Sequence, residues 1–152
     1  MKYQGLYTAI VTPFKDGHVD YEAFKALIEA QIAGGVDGIV PMGTTGESPT
    51  VSTEEHLDII RVCIETVAGR CQVIAGTGAN CTEEAIEMTK AAAAMGADGT
   101  LQVCPYYNKP NQEGVYQHFK AIAEATDLPI ILYSIPGRSG IEIAVDTVAR
   151  LA

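Results

Sequence analysis

The chain has 152 residues, of which 47% are hydrophobic and 19% are charged, as in a globular protein with a sizeable core. Nineteen Asp and Glu against ten Lys and Arg leave a formal charge of -9, which argues against nucleic acid or an anionic membrane as the main partner. No apolar run approaches the length of about 18 residues that a membrane span needs, and the first residues lack the apolar segment of a signal peptide, so we predict a cytoplasmic protein.

The four cysteines are predicted to be free thiols. They occur singly, without a CxxC pair and without histidines at the spacing of metal ligands, in a chain that is neither short nor rich in cysteine. We therefore predict neither a disulfide framework nor a metal site. The cysteines are Cys63, Cys71, Cys81 and Cys104.

The chain begins with two strand-loop-helix units of about 30 residues each. Residues 6–12 form an apolar run of strand length, and a helix-period segment follows over 20–34, with an aspartate as its N-cap and two glycines at its end. Residues 36–42 repeat the strand pattern, and residues 52–69 repeat the helix pattern. The second helix opens with a Ser-x-x-Glu capping box, which supports its predicted start.

Three more units follow in the same order. Strands are predicted over 72–75, 99–104 and 129–135, and glycine or proline bounds each of them. An alanine-rich helix over 82–95 separates the first two, an amphipathic helix separates the next two, and a last helix begins near Val145. Residues 1–152 are therefore predicted to form one domain.

Apolar strands that alternate with amphipathic helices predict an α/β fold, in which helices cover a parallel sheet. Periodicity leaves two architectures open: an open doubly wound sheet, or the first five units of a TIM (β/α)8 barrel, which typically has about 250 residues. Both place function at the carboxyl ends of the strands. Polar clusters follow four of the predicted strands: Thr44-Thr45, residues 77–80, Tyr106-Tyr107, and Tyr133 with Arg138.

The loop after the second strand, residues 43–48 (GTTGES), has the composition of a small-anion site. Its two glycines let a ligand approach the main chain, and its two threonines add hydroxyl and amide donors. We therefore expect it to hold a carboxylate. The later segment 76–78 (GTG) lacks the third glycine of a dinucleotide fingerprint, so no nucleotide cofactor is predicted.

Five motifs follow one another along the chain: residues 8–14 (TAIVTPF), 43–48, 75–80 (AGTGAN), 105–110 (PYYNKP) and 133–140 (YSIPGRSG). In this order and spacing they resemble the dihydrodipicolinate synthase family, within the pyruvate-dependent class I aldolases. The resemblance covers the whole chain and implies a barrel-derived fold. It also implies an activity in lysine biosynthesis, without a cofactor: pyruvate forms a Schiff base with a lysine, its enamine attacks aspartate semialdehyde, and the adduct cyclises.

The resemblance assigns five residues to the chemistry. Thr44, Tyr107 and Tyr133 resemble a proton relay, in which Tyr107 reaches into the site of a neighbouring subunit. Thr45 would bind the pyruvate carboxylate, and Arg138 would bind the carboxylate of aspartate semialdehyde. A hydroxyl relay suits a phenol that must pass a proton, and a guanidinium fork suits a carboxylate. Thr44-Thr45 with Arg138 favours the synthases over the related N-acetylneuraminate lyases.

The resemblance also implies a site at a dimer interface where lysine acts as a feedback inhibitor. Its predicted residues are Ser48, His56, Asn80, Glu84 and Tyr106. Two neighbours depart from the family pattern, because Thr53 stands where some lysine-sensitive members have a histidine, and Pro49 is a local variation. A third departure is Ser134, where the family usually has an asparagine, which puts the loop hydrogen bonds after Tyr133 in question.

The amine that a class I aldolase requires is expected to lie outside these residues. The resemblance places it on a sixth strand, and the five predicted units stop before that strand. None of the lysines lies in a predicted strand, and Lys15 and Lys109 in loops are the only substitutes. We therefore expect the chain to be inactive alone and to pair with copies of itself or a complementary barrel fragment. The alternative is a non-catalytic or engineered fragment that self-associates.

Overall fold

The structure is a computed structural model that describes residues 3–152. Its strands are β1 (Tyr7–Ala9), β2 (Phe14–Lys15), β3 (His18–Val19), β4 (Gly38–Val40), β5 (Gln72–Gly76), β6 (Gly99–Val103) and β7 (Ile130–Tyr133). Its helices are α1 (Tyr21–Ala33), α2 (Thr53–Val67), α3 (Thr82–Met95), α4 (Gln112–Glu124), α5 (Pro136–Ser139) and α6 (Val145–Leu151), and a 3-10 turn covers Ser48–Thr50.

The main sheet is parallel, and its strand order is β1-β4-β5-β6-β7. A doubly wound sheet reverses its strand order at a switch point, whereas a barrel adds each new strand beside the previous one. The observed order has no reversal. The α/β, barrel-derived prediction is therefore confirmed, and the doubly wound alternative is wrong.

Two short elements are absent from the sequence prediction. Strands β2 and β3 form a hairpin around Asp16-Gly17, both of which have positive φ (53° and 82°). An Asp-Gly pair favours this kind of turn, so the sequence does carry a signal for the hairpin. The other missed element is α5, a single turn that begins at Pro136. The predictions for β1, β4, β6 and β7 extend too far, since apolar residues continue beyond the paired segments, whereas the prediction for β5 ends one residue short.

The core lies between the sheet and the helices. Phe24 and Ile28 of α1 pack in one cluster with Ile59 and Ile60 of α2. A second cluster contains Val115, Phe119 and Ile122 of α4. The end strands β1 and β7 each pair on one side only within the described residues, and Leu6 and Val11 beside β1 are 59% and 50% exposed.

A repeated Asp-Gly pair orders the amino ends of the strands. Asp37 Oδ2 accepts a hydrogen bond from the Leu6 amide (2.7 Å), and Asp98 Oδ2 accepts one from the Val73 amide (2.8 Å). Each carboxylate thus caps the preceding strand. Both bonds stabilise the amino-terminal end of the sheet, which is opposite to the end where the candidate site lies.

The cap of α2 supports a first prediction. The Ser52 hydroxyl accepts a bond from the Glu55 amide (3.2 Å), and the Glu55 carboxylate accepts one from the Ser52 amide (3.0 Å). Ser52→Ala should therefore lower the free energy of unfolding by about 1 kcal/mol, measured by urea denaturation. The matched variant Ser52→Thr, which keeps a hydroxyl acceptor, should lose less. Equal losses would contradict the capping role.

Candidate active site

The loop after β4 is held rigidly in place. The amide of Gly46 donates to the Gly43 carbonyl (3.0 Å), and the buried hydroxyl of Thr12 donates to the Gly46 carbonyl (2.7 Å). A Cβ at Gly46 would lie 2.9 Å from the Met42 amide nitrogen, so only glycine fits there. Thr44 and Thr45 are therefore presented by a loop with little freedom to move.

Thr44 lines two cavities at the carboxyl ends of the strands. A narrow recess is lined by Thr44, Tyr133, Gly76 and Leu101, and by neighbouring residues of the loops and strands. A larger cavity of about 410 Å³ is lined by Thr44, Tyr106 and Arg138, among others. The structure thus brings Thr44, Tyr133 and Arg138 to one region. Thr45 is on the same loop and lines neither cavity.

Arg138 is carried by α5, and its loop is well anchored. The buried Ser139 hydroxyl lies 3.0 Å from the Ile135 carbonyl and 2.7 Å from the Ile141 carbonyl. The Ser134 hydroxyl accepts a hydrogen bond from the Ile143 amide (3.2 Å). A serine in place of the family's usual asparagine therefore still supplies a hydrogen bond to this loop. Arg138 is exposed and takes part in none of the ion pairs among residues 3–152, which leaves its guanidinium available to an anion.

Tyr107 stands apart from this group. Its side chain is 88% exposed and lines neither cavity of its own chain. Its backbone has a φ of 68°, which is unusual for a bulky side chain. A single chain therefore does not bring Tyr107 together with Thr44 and Tyr133.

The predicted inhibitor residues gather around a third cavity of about 210 Å³. Ser48, His56, Glu84 and Tyr106 all line it, as do Pro49 and Thr53. Asn80 is not among the lining residues, but it directly follows Ala79, which is. Ser48 and Tyr106 line this cavity and the larger one at once, so the two cavities are neighbours.

His56 lines the cavity of about 210 Å³ and also contacts β5. It is buried, and its Nε2 lies 2.7 Å from the Gly76 carbonyl oxygen. Since a carbonyl can only accept, Nε2 carries the proton. Burial lowers the pKa of His56, which favours the neutral ring.

Sequence reasoning missed Gly78, which lines the recess and both larger cavities. A Cβ there would lie 2.3 Å from the Val103 amide nitrogen, so the loop after β5 packs directly on the backbone of β6. The signal is the GTG segment itself, since both of its glycines pack closely against neighbouring backbone.

The lysines of the described chain are all on the surface. Lys15, Lys25, Lys90, Lys109 and Lys120 are exposed, and Lys2 lies outside the described residues. Lys15 is on β2 and not in a loop, which corrects the sequence prediction. Lys109 lies against Gly140, because a Cβ at that glycine would meet its Cε at 2.6 Å.

Residues 3–152 contain no group of three or more His, Cys, Asp or Glu side chains that could hold a metal ion, and all four cysteines are free. Within the same residues, every helix is too short or too polar to cross a membrane.

The chain is similar to known proteins over nearly its whole length. The model of the dihydrodipicolinate synthetase family matches residues 2–152. A 4-hydroxy-tetrahydrodipicolinate synthase of Leptospira biflexa is 55% identical over 150 residues, which are 99% of this chain and 51% of that protein. The chain thus spans about half the length of the curated relatives that it matches.

Solved structures agree with the sequence comparison. The dihydrodipicolinate synthase of Acinetobacter baumannii complexed with pyruvate is 56% identical with a TM-score of 0.95, over 97% of this chain and 51% of that one. The enzyme of Cyanidioschyzon merolae with lysine bound is 50% identical with a TM-score of 0.93, over 97% and 51% of the two chains. The match over nearly every residue shows that this chain belongs to the dihydrodipicolinate synthetase family.

Proposed function

We propose that this chain forms the proton-relay and carboxylate-binding part of a 4-hydroxy-tetrahydrodipicolinate synthase, a cytoplasmic enzyme that condenses pyruvate with aspartate semialdehyde. The observation that carries the proposal is the convergence of Thr44, Tyr133 and Arg138 at the carboxyl ends of β4 and β7. In a parallel α/β barrel, catalysis takes place at this end of the sheet.

The hydroxyls move the protons. Formation of the imine releases the pyruvate carbonyl oxygen as water, and loss of a methyl proton then gives the enamine. Tyr133 delivers the proton that the departing oxygen needs, and Thr44 and a Tyr107 from a neighbouring chain pass protons to and from it. The large exposure of Tyr107 supports a role outside its own chain.

Two further residues hold the carboxylates. Thr45, on the rigid loop after β4, binds the carboxylate of pyruvate, and Arg138 at the cavity mouth binds that of aspartate semialdehyde. Arg138 suits this role because it makes no ion pair with another residue in 3–152. The enamine carbon then attacks the aldehyde carbon, and the amine of the adduct cyclises onto the imine and displaces the lysine.

The Schiff-base lysine lies outside these 152 residues. Every described lysine is exposed, and an exposed amine lacks the burial that lowers an amine pKa and activates it. The chain is therefore active only with a complementary barrel segment, in a homo-oligomer of such pairs.

The neighbouring cavity is the place for lysine as an inhibitor. The Glu84 carboxylate offers a charge partner for an ammonium group, and Ser48, His56 and Tyr106 add polar contacts. A relative with lysine bound supports this assignment, whereas Thr53 in place of a histidine weakens the expected affinity.

Borohydride trapping with pyruvate, followed by intact mass, tests the proposal. We expect no adduct on the isolated chain, and one adduct on the partner after mixing with a relative's segment that begins at the sixth strand. A partner segment with its strand lysine replaced by arginine is the control. A stoichiometric adduct on the isolated chain would overturn the proposal and point to Lys15 or Lys109.

A second candidate is a non-catalytic fragment that self-associates. Leu6 and Val11 favour it, because they are exposed apolar residues beside the side of β1 that has no paired strand among residues 3–152. Light scattering separates the two, because a fragment of this kind stays in its own oligomer when the partner segment is added, whereas a half-enzyme exchanges into a mixed complex.

A further inference from the structure

Tyr107 lies at the centre of a strained turn. The Asn108 amide donates to the Tyr106 carbonyl (2.8 Å), two residues before it, and the φ of Tyr107 is 68°. This combination is a γ-turn of the rare, strained form. Lys109 follows with a φ of 44°, so the chain leaves the turn through a second unfavourable conformation. Backbone strain of this kind persists only where the surrounding structure enforces it.

Asn80 holds the residue that follows Tyr107. The Asn108 side-chain Nδ2 donates to the Asn80 carbonyl (3.1 Å), in the loop after β5. Asn80 is a firm anchor, since the loop before it packs on β6 so closely that no side chain fits at Gly78. The Tyr107 ring itself is 88% exposed and contributes little to holding the turn.

We propose that Asn108 is a positioning residue, whose side-chain hydrogen bond to the Asn80 carbonyl holds the strained turn that projects Tyr107 away from its own chain. Without this bond the turn relaxes to negative φ and the phenol changes direction. The consequence for catalysis rests on the proposed function, in which Tyr107 serves a neighbouring site, but the structural claim does not.

The structural claim is tested on the isolated chain by NMR. The one-bond coupling between Cα and Hα of Tyr107 distinguishes positive from negative φ. We expect the positive-φ signature in the native chain and its loss in both Asn108→Ala and Asn108→Asp, while the thermal midpoint stays the same or rises because strain is released. Persistence of the signature in Asn108→Ala would overturn the proposal, as would its loss in Asn108→Asp alone, which would indicate a charge effect.

Asn111→Ala is the matched control. Asn111 is close in sequence, and its side chain accepts a bond from the Gly114 amide (2.9 Å) at the start of α4. Its replacement should lower the thermal midpoint and leave the Tyr107 signature intact. Loss of the signature in this variant as well would show that general loosening, and not the bond to Asn80, controls the turn.

The catalytic consequence is tested in the complemented mixture. Asn108→Ala should lower kcat about tenfold or more without raising the KM for pyruvate, because the displaced group moves protons. Combination with Tyr107→Phe should add no further loss, since both changes remove the same function. An inactive native mixture would count against the proposed function and leave the NMR result to decide the role of Asn108. An unchanged kcat with a relaxed turn would overturn the catalytic role alone.

Discussion

Gly76→Ala is expected to lower the free energy of unfolding by about 3 kcal/mol. Gly76 ends β5, and a Cβ there would lie 2.2 Å from the Met42 carbonyl oxygen and 2.8 Å from the Gly43 amide nitrogen. Both atoms belong to the backbone of the neighbouring strand and loop, so neither can swing aside as a side chain would. The loss is measured by urea denaturation followed by circular dichroism.

Gly137→Ala is the matched control, because a Cβ there would have no heavy atom within 4 Å. That variant should change the free energy of unfolding by less than about 0.5 kcal/mol. Similar losses at both glycines would show that conformational freedom, and not space, is what position 76 requires. The result also bears on the site, since Gly76 contacts the backbone before Thr44 and its carbonyl accepts a hydrogen bond from His56.

The second large effect concerns His118 and pH. Its side chain is 5% exposed, its Nδ1 lies 2.9 Å from the Thr82 hydroxyl, and its Nε2 is buried without a partner among the described residues. Burial lowers the pKa of His118 from 6.5 to about 4. The unfolded chain therefore binds a proton below about pH 6.5 that the folded chain does not bind.

Above pH 6.5, His118 is neutral in both states and does not lower the free energy of unfolding. As the pH falls from 6.5 towards 4, the free energy of unfolding decreases by about 3 kcal/mol in total, because only the unfolded chain binds the proton. We expect urea denaturation to show a steeper loss between pH 6.5 and 4.5 in the native chain than in His118→Gln. His18→Gln, at an exposed histidine, is the control and should keep the native slope. Equal slopes for all three proteins would contradict the prediction. Some slope remains in every variant because burial also lowers the pKa of His56.

The helices are predictable because their signals are local. The capping box at Ser52 and the glycine after Met95 lie within a few residues of the boundaries that they set. Strand ends are predicted less well, because an apolar run continues past the last ladder bond. Ile10 and Val11, for example, continue the apolar run beyond the end of β1 at Ala9.

The site is partly predictable for a related reason. Parallel strands bring their carboxyl ends to one edge, so the strand pattern alone leads us to expect Thr44, Tyr133 and Arg138 in one region. The sequence carries no signal for the space around them. The close approach of Gly78 to Val103, and the bond from Asn108 to Asn80, depend on the distance between β5 and β6.

The sequence by itself determined the five main strand-helix units, the α/β class and the family, since hydrophobic period, caps and motifs are properties of short segments. Periodicity left both sheet architectures open, and the observed strand order decided between them, because strand order is a set of contacts between residues far apart in the chain. Only the tertiary structure showed that Tyr107 stands apart from Thr44 and Tyr133. The backbone angle of 68° that directs it is enforced by an amide 28 residues from its acceptor, which no local pattern encodes.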